Sequence, residues 1–202
     1  MPSKIDFKKE LKELYAPSTK EISAVKVPKL NFLSIDGKGD PNTSQEYKEA
    51  IEALFSVAFK IKFTTKKELG KDYAVMPLEG LWWAEGKFSL DNKSSWLWKS
   101  LIMQPDFITQ EIFQKAVDAV KAKKNLPGLG KIKLETLDEG LSAQILYIGP
   151  FSGEKPTIQR IHDFIQEQGG SLAQKHHEIY LSDPRKTAPE KLKTIIRQPF
   201  KK

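Results

Sequence analysis

The chain of 202 residues has 39% hydrophobic and 29% charged residues, which is typical of a globular protein. Its net charge of +7 comes from lysines interleaved with Asp and Glu, a pattern that favours solvated surfaces over a nucleic-acid interface. The absence of cysteine excludes disulfides, thiolate catalysis and Cys-ligated zinc. No apolar run reaches the roughly 18 residues of a membrane-spanning helix, and the charged N-terminus lacks an apolar signal region. We therefore predict a cytoplasmic protein without a membrane partner.

Hydrophobic periodicity and turn residues define the elements of the first half of the chain. Asn42, Thr43 or Ser44 can cap the longer of its two helices, and residues 64–73 form a polar connection. In chain order, we predict a short amphipathic helix over 5–15, a loop over 15–21, a strand around Leu30–Ile35, a helix reaching about Phe63, and a β-hairpin over Tyr73–Met103 with its turn at 89–95.

The second half begins with a connecting helix over 106–124, which Thr109 can cap. The elements that follow repeat the order of the first half. They are a strand at 131–140, a strand at 141–151, a helix from Pro156 to Gly169, a strand at 176–184 and a last strand at 191–200.

The two halves therefore resemble a diverged duplication of a strand–helix–strand–strand unit. Repeat 1 spans about 28–104, and repeat 2 spans about 131–200. We predict an α+β fold for a single domain over 1–202, in which the repeats are related by a pseudo-twofold axis. Antiparallel sheets would carry helices on one face and enclose a ligand cleft.

Four tryptophans lie within the predicted hairpin. Adjacent Trp82 and Trp83 must point to opposite faces of a strand, whereas Trp96 and Trp98 share a face. An aromatic core explains two of them well and four of them poorly, because each indole N–H needs a partner. A site for a flat aromatic ligand is the competing interpretation, with Trp83, Trp96 and Trp98 as contacts.

Strand alternation in "HHEIYLSDPR" separates His177, Ile179 and Leu181 from Glu178 and Tyr180. We predict that the apolar side packs against the helices, so that Glu178 and Tyr180 face the cleft. A partly desolvated carboxyl group there could anchor a cation or act as a general acid or base.

Other signatures of chemistry are missing from the sequence. His176 and His177 diverge on a strand, and there is no zinc-binding, EF-hand or phosphate-loop motif and no Gly-x-Ser-x-Gly elbow. We therefore predict no metal, no cofactor and no covalent nucleophile. Glu79, in "PLEGLWW", holds a place in repeat 1 comparable to that of Glu178, so we expect both acids in one cleft.

Several motifs together resemble the stand-alone GyrI-like small-molecule-binding proteins, and the resemblance covers essentially the whole chain. The specific segments are "PLEGLWW" and "HEIYLSDPRKTAPEKLKT", supported by "NFLSIDGKGDPN", "WLWKSLIMQPDF" and "GPF". The family's fold is a duplicated strand–helix–strand–strand unit, in agreement with the repeat.

The resemblance implies a cleft for hydrophobic, aromatic or cationic compounds, in which Glu178 occupies the position of a glutamate that anchors the cation. It also implies similarity to hydrolases that open the cyclopropane of DNA-alkylating natural products. Tyr147 and Tyr180 would add stacking. For hydrolysis we predict Glu178 and Tyr180 as the catalytic residues: Glu178 would orient a water, and Tyr180 or Tyr147 would donate to the developing phenolate. Phe151 stands where such sequences often have tyrosine, so a role of that phenol does not carry over.

Three interpretations remain open from the sequence. The protein could bind its ligand and hydrolyse it, bind or sense it without turnover, or inhibit a protein partner. The net charge of +7 disfavours inhibition by mimicry of DNA. The sequence does not define the ligand or the oligomeric state.

Overall fold

The computed structural model describes residues 4–86 and 93–202. Its contacts divide the chain into two compact units. Unit 1 contains the residues up to Phe7, Leu30–Met76 and Trp82–Leu137, whereas unit 2 contains Lys8–Lys29, Pro77–Leu81 and Asp138–Lys202. Neither unit is a continuous stretch of chain.

The described chain contains helices and strands with short 3₁₀ turns between some of them. In chain order they are α1 (Phe7–Glu10), α2 (Lys12–Tyr15), β1 (Ser23–Val27), β2 (Leu30–Lys38), α3 (Gln45–Leu69), β3 (Leu78–Ala84), β4 (Trp96–Gln104), α4 (Gln110–Lys121), β5 (Lys133–Leu137), β6 (Gly140–Ile148), α5 (Lys155–Glu167), β7 (Ser171–Leu172), β8 (His176–Tyr180) and β9 (Lys193–Lys201).

Unit 1 is built around β2, which pairs antiparallel with β4 on one side and with β5 on the other. Helix α3 packs on β2 and β4, and its Leu54, Val57 and Ile61 are fully buried. The Ser44 hydroxyl accepts a hydrogen bond from the Tyr47 amide and caps α3. Ser44 is one of the three residues predicted as the cap.

Helix α3 is longer than predicted. The polar stretch after Phe63 was expected to be a connection, but the helix continues to Leu69 and ends at Gly70, whose φ of 66° is left-handed. Thr65 is buried and donates a hydrogen bond to the Ile61 carbonyl, so it contributes to the core despite its polarity.

Unit 2 is built around β6 and β9, which pair antiparallel. Strand β1 pairs with the other edge of β6, and β8 pairs with the other edge of β9. Helix α5 packs on one face of β6 and β9. The core under α5 contains Ala143, Ile145, Ile161, Ile165, Ile196 and Phe200.

The α+β class and the repeated order are confirmed, since β2-α3-β3-β4 and β6-α5-β8-β9 follow the same sequence of elements. The strands that precede β2 and β6 in the chain each pair with a strand from the other half of the sequence, within one unit. β1 precedes β2 but pairs with β6, and β5 precedes β6 but pairs with β2. The short, half-exposed β1 was not predicted, because it lacks an apolar run. The pseudo-twofold axis stays a prediction.

The predicted hairpin is shorter than expected at its first strand, because β3 begins only at Leu78. β3 and β4 are neighbours, as expected for a hairpin. The last two residues of the strand predicted up to Phe88 and most of the turn predicted at 89–95 fall on 87–92, outside the described residues. Among the helices described, none is both long and apolar enough to cross a membrane.

Candidate functional site: a carboxyl pair under helix α5

Side chains on both faces of strand β8 are largely shielded from solvent. His177 and Ile179 are buried, and the Glu178 side chain is only 15% exposed. Cross-strand register places Glu178 opposite Ile196 of β9, and Ile196 packs in the core under α5. Glu178 therefore lies on the α5 face. The prediction that Ile179 faces the helices is wrong, since alternation relates residues to one another but does not say which face a helix covers.

The Glu178 carboxylate accepts hydrogen bonds at both oxygens. The Tyr180 hydroxyl donates to Oε2 at 2.7 Å, and Nε2 of His176 lies 3.1 Å from Oε1. Burial alone would raise the pKa of Glu178, but the hydrogen bond and charge of His176 and the hydrogen bond of Tyr180 outweigh it. The pKa of Glu178 is therefore lowered, and the group is ionised at neutral pH.

A second carboxyl group meets Glu178 from the start of α5. Glu154 directly precedes the helix, but its side chain makes no capping hydrogen bond and is only 3% exposed. Its carboxyl group interacts with the Glu178 carboxyl group and the Thr194 side chain, and its Oε1 makes no hydrogen bond among the described residues. Burial and the negative charge of Glu178 raise the pKa of Glu154 to about 9.

The two carboxyl groups thus share one proton at neutral pH, which Glu154 holds while Glu178 stays ionised. Adjacent acids whose pKa values are driven apart are the usual arrangement for a general acid beside a general base. The pair lies under α5, so both groups work in a shielded environment where hydrogen bonds are stronger than in water.

Aromatic side chains border this pair. The Phe151 and Tyr180 rings meet edge to face, with centroids 5.6 Å apart, and Phe151 is 42% exposed. Tyr147 and Tyr180 flank Thr194 of β9 on the same face. The Tyr147 hydroxyl donates to the Pro150 carbonyl at 3.0 Å, so it is already engaged.

A cleft of about 270 Å³ opens beside Tyr147. Part of its wall is the end of β6, and part is the first turns of α5. The lining residues are Thr19, Ile145, Leu146, Tyr147, Ile148, Thr157 and Arg160. The cleft gives a small molecule space next to the ring of Tyr147.

Glu79 does not share a face with Glu178, contrary to the prediction. It is fully buried, accepts a hydrogen bond from the Tyr15 hydroxyl at 2.8 Å, and lies 2.9 Å from Nε2 of His177. His177 points to the opposite face of β8 from Glu178. The comparison of repeat positions in the sequence could not reveal that Glu79 contacts His177.

The tryptophans belong to unit 1. Trp98 is fully buried and meets Tyr47 edge to face at 4.9 Å, which corrects its prediction as a ligand contact. Trp82 is buried against Trp96 and Tyr47, while Trp83 and Trp96 are half-buried. The opposite environments of Trp82 and Trp83 agree with strand alternation, and the aromatic-core interpretation accounts for Trp82 and Trp98.

Sequence reasoning missed Glu154 and His176 as members of the site. A glutamate before a helix is ordinarily a favourable N-terminal charge, so nothing local marks Glu154 as a partner of Glu178. Within the described part of the chain, no group of three or more acidic or histidine side chains is arranged to hold a metal ion.

A pair of acids with opposed pKa shifts beside aromatic rings defines a candidate small-molecule site. The comparisons agree with this class. The chain belongs to the GyrI-like family, because the model of the GyrI-like small molecule binding domain matches residues 20–201.

Three solved structures from Listeria innocua resemble the chain over 98% of its length and 100% of theirs. An uncharacterised conserved protein is 44% identical with a TM-score of 0.91. Two proteins described as hydrolases are 42% and 40% identical, with TM-scores of 0.89 and 0.86. No curated protein matches the chain.

Proposed function

We propose that the protein binds a hydrophobic, aromatic small molecule on the α5 face of unit 2 and hydrolyses it with Glu178 and Glu154. The observation that carries the proposal is the contact between an ionised and a protonated carboxyl group, with Tyr180 and Phe151 beside them. Family membership supports the binding of small molecules, and two relatives at 42% and 40% identity are described as hydrolases.

The substrate class that we favour is a conjugated carbonyl compound bearing a strained cyclopropane, as in DNA-alkylating natural products. In this reaction a water oxygen attacks a cyclopropane carbon, and the carbon–carbon bond to the conjugated ring breaks. The released electron pair moves into the ring system and ends on the carbonyl oxygen, so that a phenolate forms. The net change is the addition of one water, which would remove the alkylating group and protect the cell.

Two proton transfers accompany this step. Glu178, ionised and oriented by Tyr180 and His176, takes a proton from the attacking water. Glu154, which holds its proton at neutral pH, supplies one to the developing phenolate directly or through a water. The Tyr147 hydroxyl is bound to Pro150, so we assign this tyrosine to stacking rather than to proton donation.

Binding without turnover is the alternative, with Glu178 as counter-charge for a cationic aromatic ligand. The closeness of His176 and Tyr180 to both carboxylate oxygens favours catalysis, because a cation would compete with these two donors. Sensing without turnover and inhibition of a protein partner stay lesser alternatives.

The test is incubation of the protein with planar aromatic compounds with and without a cyclopropane, followed by mass spectrometry for the addition of one water. Glu178→Gln should lower the rate by about 10²–10⁴-fold, the usual contribution of general acid–base catalysis, with ligand affinity little changed. Equal turnover by Glu178→Gln would overturn the catalytic role, and binding without product would favour the alternative.

Glu154→Gln is a second test, in which turnover and stability should change in opposite directions. It should lower turnover while raising stability at pH 8 by about 1–2 kcal/mol, because a neutral amide avoids the cost of a buried acid beside Glu178. Glu167→Gln on the exposed end of α5 is the matched control and should change neither quantity.

Several predictions from the sequence are not part of this proposal. Trp83 and Trp96 remain predicted ligand contacts, and the cleft between the repeats, the single domain and the cytoplasmic location also stay predictions. We likewise expect no nucleic-acid partner.

A further inference from the structure

The face of β8 opposite Glu178 carries a buried polar network centred on His177. The imidazole lies between two glutamates, with Nε2 2.9 Å from Oε2 of Glu79 and Nδ1 2.8 Å from Oε1 of Glu139. The Tyr15 hydroxyl donates to the other oxygen of Glu79 at 2.8 Å. All four side chains are buried, so this network is closed to ligands.

Arg197 of β9 extends the network towards the N-terminal part of the chain. Its Nη1 donates to Glu139 at 3.1 Å, and its Nε donates to Gln144 at 3.0 Å. Its Nη2 donates to the Leu14 carbonyl at 2.8 Å, and the Gln144 amide donates to the Glu13 carbonyl at 2.6 Å.

Three consecutive residues, Glu13, Leu14 and Tyr15, thus complete the hydrogen bonds of a buried arginine, glutamine and glutamate. They lie in a segment of unit 2, residues 8–19, that precedes the region matched by the family model at 20–201. We call this segment the N-terminal strap. It also accepts a hydrogen bond from the Leu146 amide at the Ser18 carbonyl.

The charges of the network are balanced within a dry environment. Burial alone would lower the pKa of His177, but the charge and hydrogen bond of Glu139 and the charge of Glu79 raise it to about 9, so it is a cation at neutral pH. The pKa of Glu139 is lowered to about 2, because His177 and Arg197 outweigh the effect of burial. Nε2 of His177 and Oε2 of Glu79 face each other at ion-pair distance without a well-aligned hydrogen bond, so charge attraction rather than hydrogen bonding joins them. A buried network of paired charges holds its members in one geometry, because each departure leaves a charge unpaired.

His177 and Glu178 are neighbours on one strand, so whatever fixes the first also fixes the backbone of the second. We propose that the N-terminal strap and the network, through Tyr15, Glu79 and His177, position the Glu178 carboxylate against Glu154 on the opposite face of β8. Tyr15, Glu79 and His177 are positioning residues in this arrangement. The inference rests on the proposed function for its catalytic consequence but not for its geometry.

Tyr15→Phe tests the idea with the smallest change, since it removes only the hydroxyl that Glu79 accepts from. Tyr73→Phe in unit 1 is the matched control, because Tyr73 is equally buried and its hydroxyl donates to Gln104 at 3.4 Å. The two readouts are the carbon-13 NMR titration of the Glu154 and Glu178 carboxyl groups and, with the cyclopropane substrates, kcat and KM.

We expect Tyr15→Phe to move the titration midpoint of Glu154 down towards the ordinary carboxyl range, because a displaced Glu178 repels it less. The value of kcat should fall by roughly tenfold or more, with KM nearly unchanged, as for other groups that orient a catalytic residue. Tyr73→Phe should leave the midpoint and kcat as in the wild type, even where it lowers thermal stability.

Unchanged titration of Glu154 in Tyr15→Phe would overturn the positioning role, whether or not any compound is turned over. If no compound is hydrolysed by the wild type but the midpoint still moves, the positioning stands and the proposed function fails. A fall in kcat that Tyr73→Phe reproduces would show general destabilisation and would also overturn the inference.

Discussion

The two units share a scheme of strands and one long helix, but they bury different kinds of side chain. Unit 1 buries Trp82 and Trp98, and both rings contact the half-buried ring of Tyr47 on α3. Unit 2 instead buries ionisable side chains. Among the described residues, every buried Glu, His or Arg belongs to unit 2, namely Glu79, Glu139, Glu154, His177 and Arg197.

This difference shows that two units with the same order of elements can serve stability and chemistry separately. Aromatic packing contributes stability without titratable groups, so the stability of unit 1 should change little with pH above the carboxyl range, where its paired Asp72 and Glu135 stay ionised. Buried charges stabilise only when all are paired, and they shift the pKa values of their neighbours. Unit 2 therefore has the features of a chemical site, with an acid pair on one face of β8 and a balanced network on the other.

Loss of one network charge should have the largest effect on stability. Glu139→Gln leaves His177 and Arg197 without their shared anion, and we expect a loss of about 3–5 kcal/mol. Glu135→Gln in unit 1 is the control. Glu135 pairs with Lys99 at a partly exposed position, so its loss should cost less than about 1 kcal/mol. Urea denaturation measures both, and equal losses would break the contrast between the units.

The pH dependence of stability should come from unit 2. The raised pKa of His177 stabilises the fold fully below about pH 6.5, and this contribution is lost as the pH rises through about 9. The lowered pKa of Glu139 stabilises the fold above about pH 4.5 and is lost as the pH falls through about 2. The raised pKa of Glu154 removes stability as the pH rises from about 4.5 to about 9, because the unfolded state releases this proton earlier than the folded state. Stability should therefore be greatest near pH 4.5 and decline towards pH 9, with His177 contributing about 2–3 kcal/mol of the decline above pH 6.5.

Denaturation midpoints across this range give the measurement. His177→Gln removes the titrating group, so the decline between pH 6.5 and 9 should shrink to the part contributed by the raised pKa of Glu154. An unchanged alkaline slope in that variant would contradict the assignment to His177.

A steric change in unit 1 should have a smaller effect that is independent of pH. Gly37 lies directly across from Trp98 in the β2–β4 pairing, and a methyl group on Gly37 would overlap the indole ring. Gly37→Ala should cost about 1–3 kcal/mol at every pH, the usual range for overpacking. Gly130→Ala, where a methyl group meets nothing within 4 Å, should be near neutral. A pH-dependent loss in Gly37→Ala would show that the units are not independent in this respect.

Periodicity and capping residues were enough to predict most elements of the fold. Ser44 and Thr109 cap the helices that they precede, and the alternation of β8 correctly separated His177 and Ile179 from Glu178. Local patterns could not assign β1, because a half-exposed strand of five residues is defined by its partner β6 rather than by its own apolar residues.

The site was predictable only in part, because local patterns do not reveal tertiary partners. Glu178 and Tyr180 stand out by alternation and by resemblance, whereas Glu154 joins them through a tertiary contact at the start of α5. The single arginine in the apolar run "TIIRQPF" was a usable signal, since a buried Arg197 requires acidic partners. Its partners, Glu139 and the Leu14 carbonyl, lie 58 and 183 residues away in the chain.

The pairing of β1 with β6 and of β5 with β2 also affects how the chain folds. β1 cannot pair before residues 140–144 of β6 have been synthesised, so unit 2 cannot be completed while only the N-terminal half has left the ribosome. Pairings of such long sequence separation slow folding, because the loop must close before its contacts form. A fragment ending in the connection after α4 would leave the edge of β2 without β5 and β1 without β6, and such unpaired edges promote aggregation. The two repeats should thus be obtained as folded protein only from one continuous chain or by co-expression of complementary fragments.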